Sequence, residues 1–168
     1  ALVNGLRAFV TVGAVSLLWV ATAWPGGVTA IIFATVVVIL QGPRAGEAYK
    51  SSLLFGIAIL LGSVLTTVVA LAVLPSIPTN FVALSVTLGV FLVPLAALSM
   101  LATKPWLAAG STAMATMFMP LLALTNLMVY DGAARLNQTV SFAVGCLIAT
   151  ASFRLIPPLS SDFLARRL

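Results

Sequence analysis

Six long apolar segments, separated by short polar stretches, constrain this chain more than any other feature. They cover roughly residues 7–24, 28–41, 52–74, 81–103, 106–127 and 139–156. A helix needs about 20 apolar residues to cross a bilayer. Only 7% of the residues are charged, whereas a soluble domain carries roughly a quarter, so a soluble globule is excluded. The sequence predicts an all-α polytopic membrane protein of six transmembrane helices, in a single domain over residues 1–168 with a cytoplasmic tail at 157–168.

The sequence WPGG at residues 24–27 decides whether the first apolar stretch is one span or two. If it is a turn and the N-terminus is cytoplasmic, one basic residue, Arg135, falls outside. The basic residues on the cytoplasmic side are then Arg7, Arg44, Lys50, Lys104, Arg154, Arg166 and Arg167. Basic residues concentrate in cytoplasmic loops, and a single span over 7–41 would weaken the asymmetry to six against two. We therefore predict an outer hairpin tip at WPGG and both termini in the cytoplasm.

The run LRAFVTVGAVSLLWVATAWPGG at residues 6–27, with Gln41-Gly42-Pro43 and Tyr130-Asp131, resembles the fusaric acid resistance family. That family includes the inner-membrane aromatic acid exporters. The resemblance covers nearly the whole chain and implies that it is the second six-helix half of a transporter with another six-helix half and a cytoplasmic domain. It also implies export of aromatic or related organic carboxylic acids across the bacterial inner membrane, in some members with a periplasmic adaptor protein. The plant malate channels are more distant relatives.

The first candidate substrate-binding group is the WPGG turn, with Trp24, Gly26 and Gly27. Transporters often place anionic ligands at short or broken helices, where free backbone N–H groups and a positive helix end attract them. The short second segment, 28–41, starts directly after the two glycines. The alternative interpretation is a compact hairpin with no ligand. The depth of the turn in the membrane separates the two.

The second candidate group lies in the fifth segment and comprises Thr116, Met117 and Pro120. Methionine side chains adapt to ligands of several shapes, and proline removes a backbone hydrogen bond and favours a kink. These residues together predict a pocket for aromatic ligands. The alternative is ordinary helix packing or lipid contact.

Three charged residues are further candidates. Arg7 and Arg154 each lie about one turn inside the cytoplasmic boundary, where they would form a vestibule that concentrates organic anions, or would anchor the helices at lipid headgroups. Asp131 is the acid next to the outer mouth. It is either a proton-coupling group or the cap of a turn or helix.

Small residues at four-residue spacing mark the last span, at Ser141, Gly145 and Ala149. Such rows allow two membrane helices to approach closely. The row therefore predicts a close helix contact.

Chemistry at a catalytic or metal site is not expected. The chain has no His, a single cysteine, Cys146, and only three acids, so neither a metal cluster nor a nucleophile–base pair can be assembled, and no cofactor is predicted. The scattered basic residues do not predict nucleic-acid binding. The expected partners are membrane lipids and an organic anion substrate. An organic-anion channel of similar architecture and a non-transport scaffold remain as alternatives. If the gene encodes no other six-helix half, either alternative would assemble as a homo-oligomer.

Overall fold

The structure is a computed structural model that describes residues 2–125, 128 and 130–156. These residues form six α-helices and no strand, which confirms the all-α prediction. The helices are α1 Leu2–Thr22, α2 Gly27–Gln41, α3 Ala48–Val68, α4 Phe81–Leu101, α5 Pro105–Leu122 and α6 Gly132–Leu155. The predicted cytoplasmic tail, 157–168, lies outside the described residues, together with Arg166 and Arg167.

Five of these helices are long and apolar enough to cross a membrane. The candidate spans are Val3–Thr22, Gly27–Arg44, Ala48–Ser76, Phe81–Leu101 and Gly132–Leu155. The remaining helix, α5, is the shortest after α2 and contains polar and helix-breaking residues at Ser111, Thr112, Thr116 and Pro120. A multi-pass helical membrane protein is therefore supported, whereas the count of six spans and the cytoplasmic termini remain predictions.

The WPGG segment is a turn between two separate helices, as the sequence predicts. Helix α1 ends at Thr22 and α2 begins at Gly27. The residue before a proline avoids the helical conformation, so Pro25 keeps Trp24 out of a continuous helix. Ala23 adopts the left-handed conformation, with φ 48°, and the Gly27 N–H donates to the Trp24 carbonyl at 3.0 Å. These two features turn the chain within four residues.

A hydrogen bond at the other end of the hairpin shows that α1 and α2 run antiparallel. The Asn4 side-chain amide donates to the Gly42 carbonyl at 3.4 Å, so the start of α1 lies beside the end of α2. Helix α2 has only 15 residues, about 22 Å at 1.5 Å per residue. A 3-10 segment, Gly42–Glu47, continues it and leads into α3.

The chain divides into two compact units, each with its own core. The first unit comprises Ala1–Gly56 and Val140–Leu168, and the second comprises Ile57–Thr139. In the first unit, the buried rings of Phe33 and Phe142 pack with their centroids 4.3 Å apart. The prediction of a single domain stays a prediction.

The small-residue row of α6 packs against α2 within the first unit. A Cβ atom on Gly145 would overlap the backbone carbonyl of Ala30 and lie 3.1 Å from the backbone nitrogen of Ala34. Ala149, one turn further along α6, is also fully buried. The predicted close helix contact is therefore confirmed, and its partner is the backbone of α2.

The second unit is built around Phe118 of α5. This ring is fully buried against Val69, Ala70, Leu74 and Leu122. It also stacks on Phe91 of α4, with the ring centroids 6.2 Å apart. Two of these residues belong to a π-helical segment, Val69–Val73, that interrupts the end of the third apolar segment. Phe118 thus packs α5 against the segment that directly follows α3.

Candidate functional site

The predicted site residues are divided between the two compact units. The first unit contains Arg7, Trp24, Gly26, Gly27 and Arg154, and the second contains Thr116, Met117, Pro120 and Asp131.

The two glycines of the WPGG turn are buried because side chains of the same unit occupy the space beside them. A Cβ atom on Gly26 would overlap the Ser141 hydroxyl, and one on Gly27 would overlap the Trp19 ring. Trp24 is half-buried. The glycines therefore permit close packing of the turn, which is the compact-hairpin alternative, while an anion-binding role for the turn stays a prediction.

Arg7 is the most completely buried charged residue among those described. Its guanidinium Nη1 donates to Asn4 Oδ1 at 2.8 Å, and Nη2 donates to the Ile156 carbonyl at 2.6 Å. The guanidinium carbon also lies 4.6 Å from the centre of the Phe153 ring. Ile156 directly follows α6, where unpaired carbonyls carry partial negative charge. Arg7 thus stabilises the C-terminal end of α6 from α1, and it does not extend to a lipid headgroup.

Arg154 lies in the last turn of α6 and differs from Arg7 in its exposure. Its side chain is exposed, whereas that of Arg7 is 0% exposed. Both residues lie at the same end of the first unit, since Arg7 contacts Phe153 and Ile156 on either side of Arg154. A shared vestibule stays a prediction, in which Arg154 is the accessible cation and Arg7 the buried one.

The three candidate residues of α5 present little free polar surface. The Thr116 hydroxyl donates to the Thr112 carbonyl at 2.9 Å, within its own helix. Thr116 and Pro120 are exposed and Met117 is half-buried. The neighbouring Phe118 belongs to the core, so one side of the predicted pocket is closed by packing. An aromatic-binding role for the exposed side stays a prediction.

Asp131 caps α6. Its Oδ1 accepts the backbone N–H of Ala133 at 2.8 Å and that of Ala134 at 3.3 Å. These N–H groups belong to the first turn of the helix, which has no partner for them within the helix. The carboxylate also lies at the positive end of the helix dipole. Capping therefore accounts for the position of Asp131, and proton coupling stays a prediction.

We expect Asp131→Ala to lower the free energy of unfolding by about 1 kcal/mol, because two backbone donors lose their acceptor. Asp131→Asn should cost only a few tenths of that value, since the amide oxygen can accept the same bonds. Unfolding in mixed detergent micelles measures both. Asn80 caps α4 in the same way, since its Oδ1 accepts the Ala83 N–H at 2.8 Å. Asn80→Ala is therefore the matched control and should lower the free energy of unfolding by a similar amount. A larger loss for Asn than for Ala would contradict capping.

A cavity of about 260 Å³ lies next to Asp131 in the second unit. Its walls come from the segment between α3 and α4, from the first turn of α4 and from the segment before α6. They include Leu74, Thr79, Phe81, Met128 and Tyr130. Both segments are on the predicted outer side. The sequence patterns missed this cavity because two connections that are about 50 residues apart in the chain form it together.

Arg135 is a second buried arginine, and unlike Arg7 it was not a predicted site residue. It is 8% exposed, and its Nη1 donates to the Leu121 carbonyl at 3.2 Å. Leu121 lies in the last turn of α5, so Arg135 stabilises a helix C-terminal end within the second unit, as Arg7 does within the first. Its position as the fourth residue of α6 was the only feature of the sequence that could have indicated this role.

Several apolar helices of membrane-spanning length are the mark of a multi-pass membrane protein. The chain belongs to the fusaric acid resistance protein family, whose sequence model matches residues 1–168. This is a family of membrane transporters associated with efflux. Neither the comparison with curated proteins nor that with solved structures finds a significant match.

Proposed function

We propose that the chain is one half of a bacterial inner-membrane efflux transporter that exports aromatic or related organic carboxylic acids. Family membership supports transport, and the acidic substrate class rests on the arginines of the first unit. A cation inside a membrane-spanning segment is costly and usually serves an ion or substrate pathway.

Arg7 is the observation that carries this proposal. It lies within the candidate span Val3–Thr22 and is fully buried. Its hydrogen-bond and ring partners are all neutral groups, namely Asn4, Ile156 and Phe153. A buried cation without a carboxylate among the described residues keeps a positive field at this end of the unit, which attracts organic anions. The exposed Arg154 is the first cation that an entering acid meets.

The proposal includes partners that complete the transporter. A second six-helix half, a cytoplasmic domain and a periplasmic adaptor protein would join this chain, or copies of the chain would form a homo-oligomer. Large apolar side chains are exposed on α1, at Phe9 and Leu17, and on α4, at Phe81, Val86 and Met100. These faces suit contact with lipid or with a second helical half.

Uptake into inside-out vesicles that contain the full-length gene product tests the proposal. A labelled aromatic carboxylate should accumulate against its gradient, and a protonophore should abolish the accumulation if transport is coupled to protons. Vesicles without the protein are the control. No flux above that control for any organic acid would refute the transport proposal and favour a scaffold.

The distribution of acidic residues favours an organic-anion channel as the second candidate. The three acids of the chain are Glu47, Asp131 and Asp162. Glu47 and Asp131 lie outside α1 to α6, and Asp162 is not among the described residues. Proton-coupled transport needs a titratable group that changes access during the cycle. Flux that equilibrates and ignores the protonophore would identify the channel, whereas accumulation would direct the search for the coupling acid to the other half.

We expect Arg154→Gln to lower the initial rate for an anionic substrate severalfold and to leave a neutral analogue unaffected, because only the anion gains from the exposed charge. The rate in the same vesicles, at low and at physiological salt, measures this effect. Arg44→Gln is the matched control, since Arg44 is also exposed on the predicted cytoplasmic side. Equal losses for both substrates would indicate a folding defect and contradict the electrostatic role.

A further inference from the structure

Three buried polar atoms on α1 and α2 of the first unit have no hydrogen-bond partner among the described residues. They are Arg7 Nε, Thr11 Oγ1 and Gln41 Oε1. The three residues are 0%, 1% and 3% exposed, so bulk solvent does not reach them. More than about 90% of buried polar groups in native proteins have a partner, and leaving one unpaired is costly. Three such atoms together therefore require an explanation.

These atoms belong to facing parts of two helices. Arg7 and Thr11 are four residues apart on α1 and so lie on the same side of it. Gln41 is the last residue of α2, next to Gly42. The Gly42 carbonyl accepts a hydrogen bond from Asn4, which lies one turn before Arg7. Arg7 and Gln41 thus lie close to the place where the start of α1 meets the end of α2, and Thr11 lies one helical turn further along α1.

The Thr11 hydroxyl departs from the usual behaviour of threonine in these helices. Thr22, Thr35 and Thr67 each donate to the carbonyl four residues earlier, at 2.7–2.8 Å. Thr11 makes no such bond, although its helix offers the equivalent carbonyl at Arg7. Its hydroxyl is therefore available to a partner outside the backbone of its own helix.

The chemistry of the three atoms selects among small ligands. Arg7 Nε can only donate a hydrogen bond, Gln41 Oε1 can only accept one, and the Thr11 hydroxyl can do both. A carboxylate would satisfy the two donors and leave the amide oxygen unpaired. A water molecule accepts from Arg7, donates to Gln41 and bonds Thr11, and buried waters typically make about three hydrogen bonds.

We propose that an internal water molecule binds Arg7, Thr11 and Gln41 and bridges α1 to α2. This bridge gives a partner to Nε, whereas the two Nη atoms of the same guanidinium each already donate one hydrogen bond, to Asn4 and to Ile156. The water thereby links α2 to Arg7, which already connects α1 to the end of α6. The water is a structural ligand of the unit, and its presence does not depend on the substrate that the protein transports.

A double-mutant cycle in the full chain tests the bridge. Thr11→Val and Gln41→Leu, alone and together, are purified in detergent and unfolded in mixed micelles. Each single variant should raise the unfolding equilibrium constant roughly tenfold, because it leaves Arg7 Nε and one other group poorly paired. The double variant should lose about as much as either single variant, since both remove the same bridge. The matched controls are Thr35→Val, whose hydroxyl bonds its own helix at Ile31, and Gln138→Leu, at a half-buried position of α6, and both should change the constant less than threefold.

Two results would overturn the proposal. If the site is dry, each apolar replacement removes an unpaired group, so the unfolding constant should fall instead of rise. If added benzoate stabilises the wild type but not the double variant, and benzyl alcohol stabilises neither, a carboxylate occupies the site instead of water. An experimental density map that resolves waters should show a peak within hydrogen-bond distance of all three atoms, and a map without that peak would contradict the bridge.

Discussion

Replacing Gly145 with alanine is expected to lower the free energy of unfolding by about 3 kcal/mol or more, the upper end of the range for overpacking. The added Cβ would overlap the backbone carbonyl of Ala30 and press on the backbone of Ala34. A side chain could rotate away from such a contact, but the backbone of a helix cannot. Helix α2 would have to move away from α6, and the paired rings of Phe33 and Phe142 would separate with it.

Gly13→Ala is the matched control for this experiment. Gly13 lies in α1, and a Cβ atom at that position would meet nothing within 4 Å apart from its chain neighbours and the nearby backbone of its own helix. Its replacement should leave the stability unchanged or raise it by up to about 1 kcal/mol, because alanine favours the helix. Unfolding of both variants in mixed micelles, followed by tryptophan fluorescence, gives the comparison. Equal effects of the two substitutions would show that α2 and α6 do not meet at Gly145.

Arg7→Met should lower the free energy of unfolding by about 3 kcal/mol. The variant loses two charge-assisted hydrogen bonds, of about 1.5–3 kcal/mol each, and the contact of the guanidinium with the Phe153 ring. Relief from burying a charge offsets part of this loss. Arg7→Lys keeps the charge but cannot make both bonds and stack on the ring, so it should recover only a minor part of the stability.

Arg154→Met provides the comparison, because Arg154 is exposed at the same end of the first unit. Surface substitutions of this kind usually change stability by less than about 0.5 kcal/mol. Unfolding curves of the three variants in the same micelles measure the difference. If Arg7→Met is as stable as Arg154→Met, the bonds of Arg7 to α6 contribute nothing to the fold.

Hydropathy predicted the helical membrane class and the hairpin because those features depend on local composition. Bilayer crossing requires long apolar runs, and Pro25 with its two glycines breaks the first run at a defined place. Helix boundaries were less predictable. The third segment ends in the π-helical Val69–Val73, and α5 ends at Leu122 instead of residue 127. Packing around Phe118 and the left-handed conformation of Ala123 set these ends, and neither is visible in a hydropathy pattern.

The candidate site was less predictable than the fold, because burial depends on residues far away in the sequence. The sequence placed Arg7 and Arg154 alike, about one turn inside the cytoplasmic boundary, yet of these two only Arg7 has a buried side chain. Its partner Ile156 is 149 residues away. Neither Thr11 nor Gln41 was a predicted site residue, although Gln41 belongs to the Gln41-Gly42-Pro43 motif, since a threonine or a glutamine in an apolar segment usually bonds its own backbone or lies at the interface. Only the tertiary structure shows that both side chains are buried and that Thr11 Oγ1 and Gln41 Oε1 lack a hydrogen-bond partner among the described residues.

The length of α2 has a consequence for the lipids that surround the protein. The 15 residues of α2 give about 22 Å, and the three 3-10 residues that complete the candidate span Gly27–Arg44 add about 6 Å, so the span is about 2 Å shorter than the hydrocarbon layer of a typical bilayer. One side of α2 is exposed, at Val28, Ile32 and Ile39. Acyl chains beside that side must compress or disorder to match it, at a cost of a fraction of a kcal/mol per ångström. The protein should therefore gather short or unsaturated lipids along α2, so that membrane composition becomes one of the variables that set its stability.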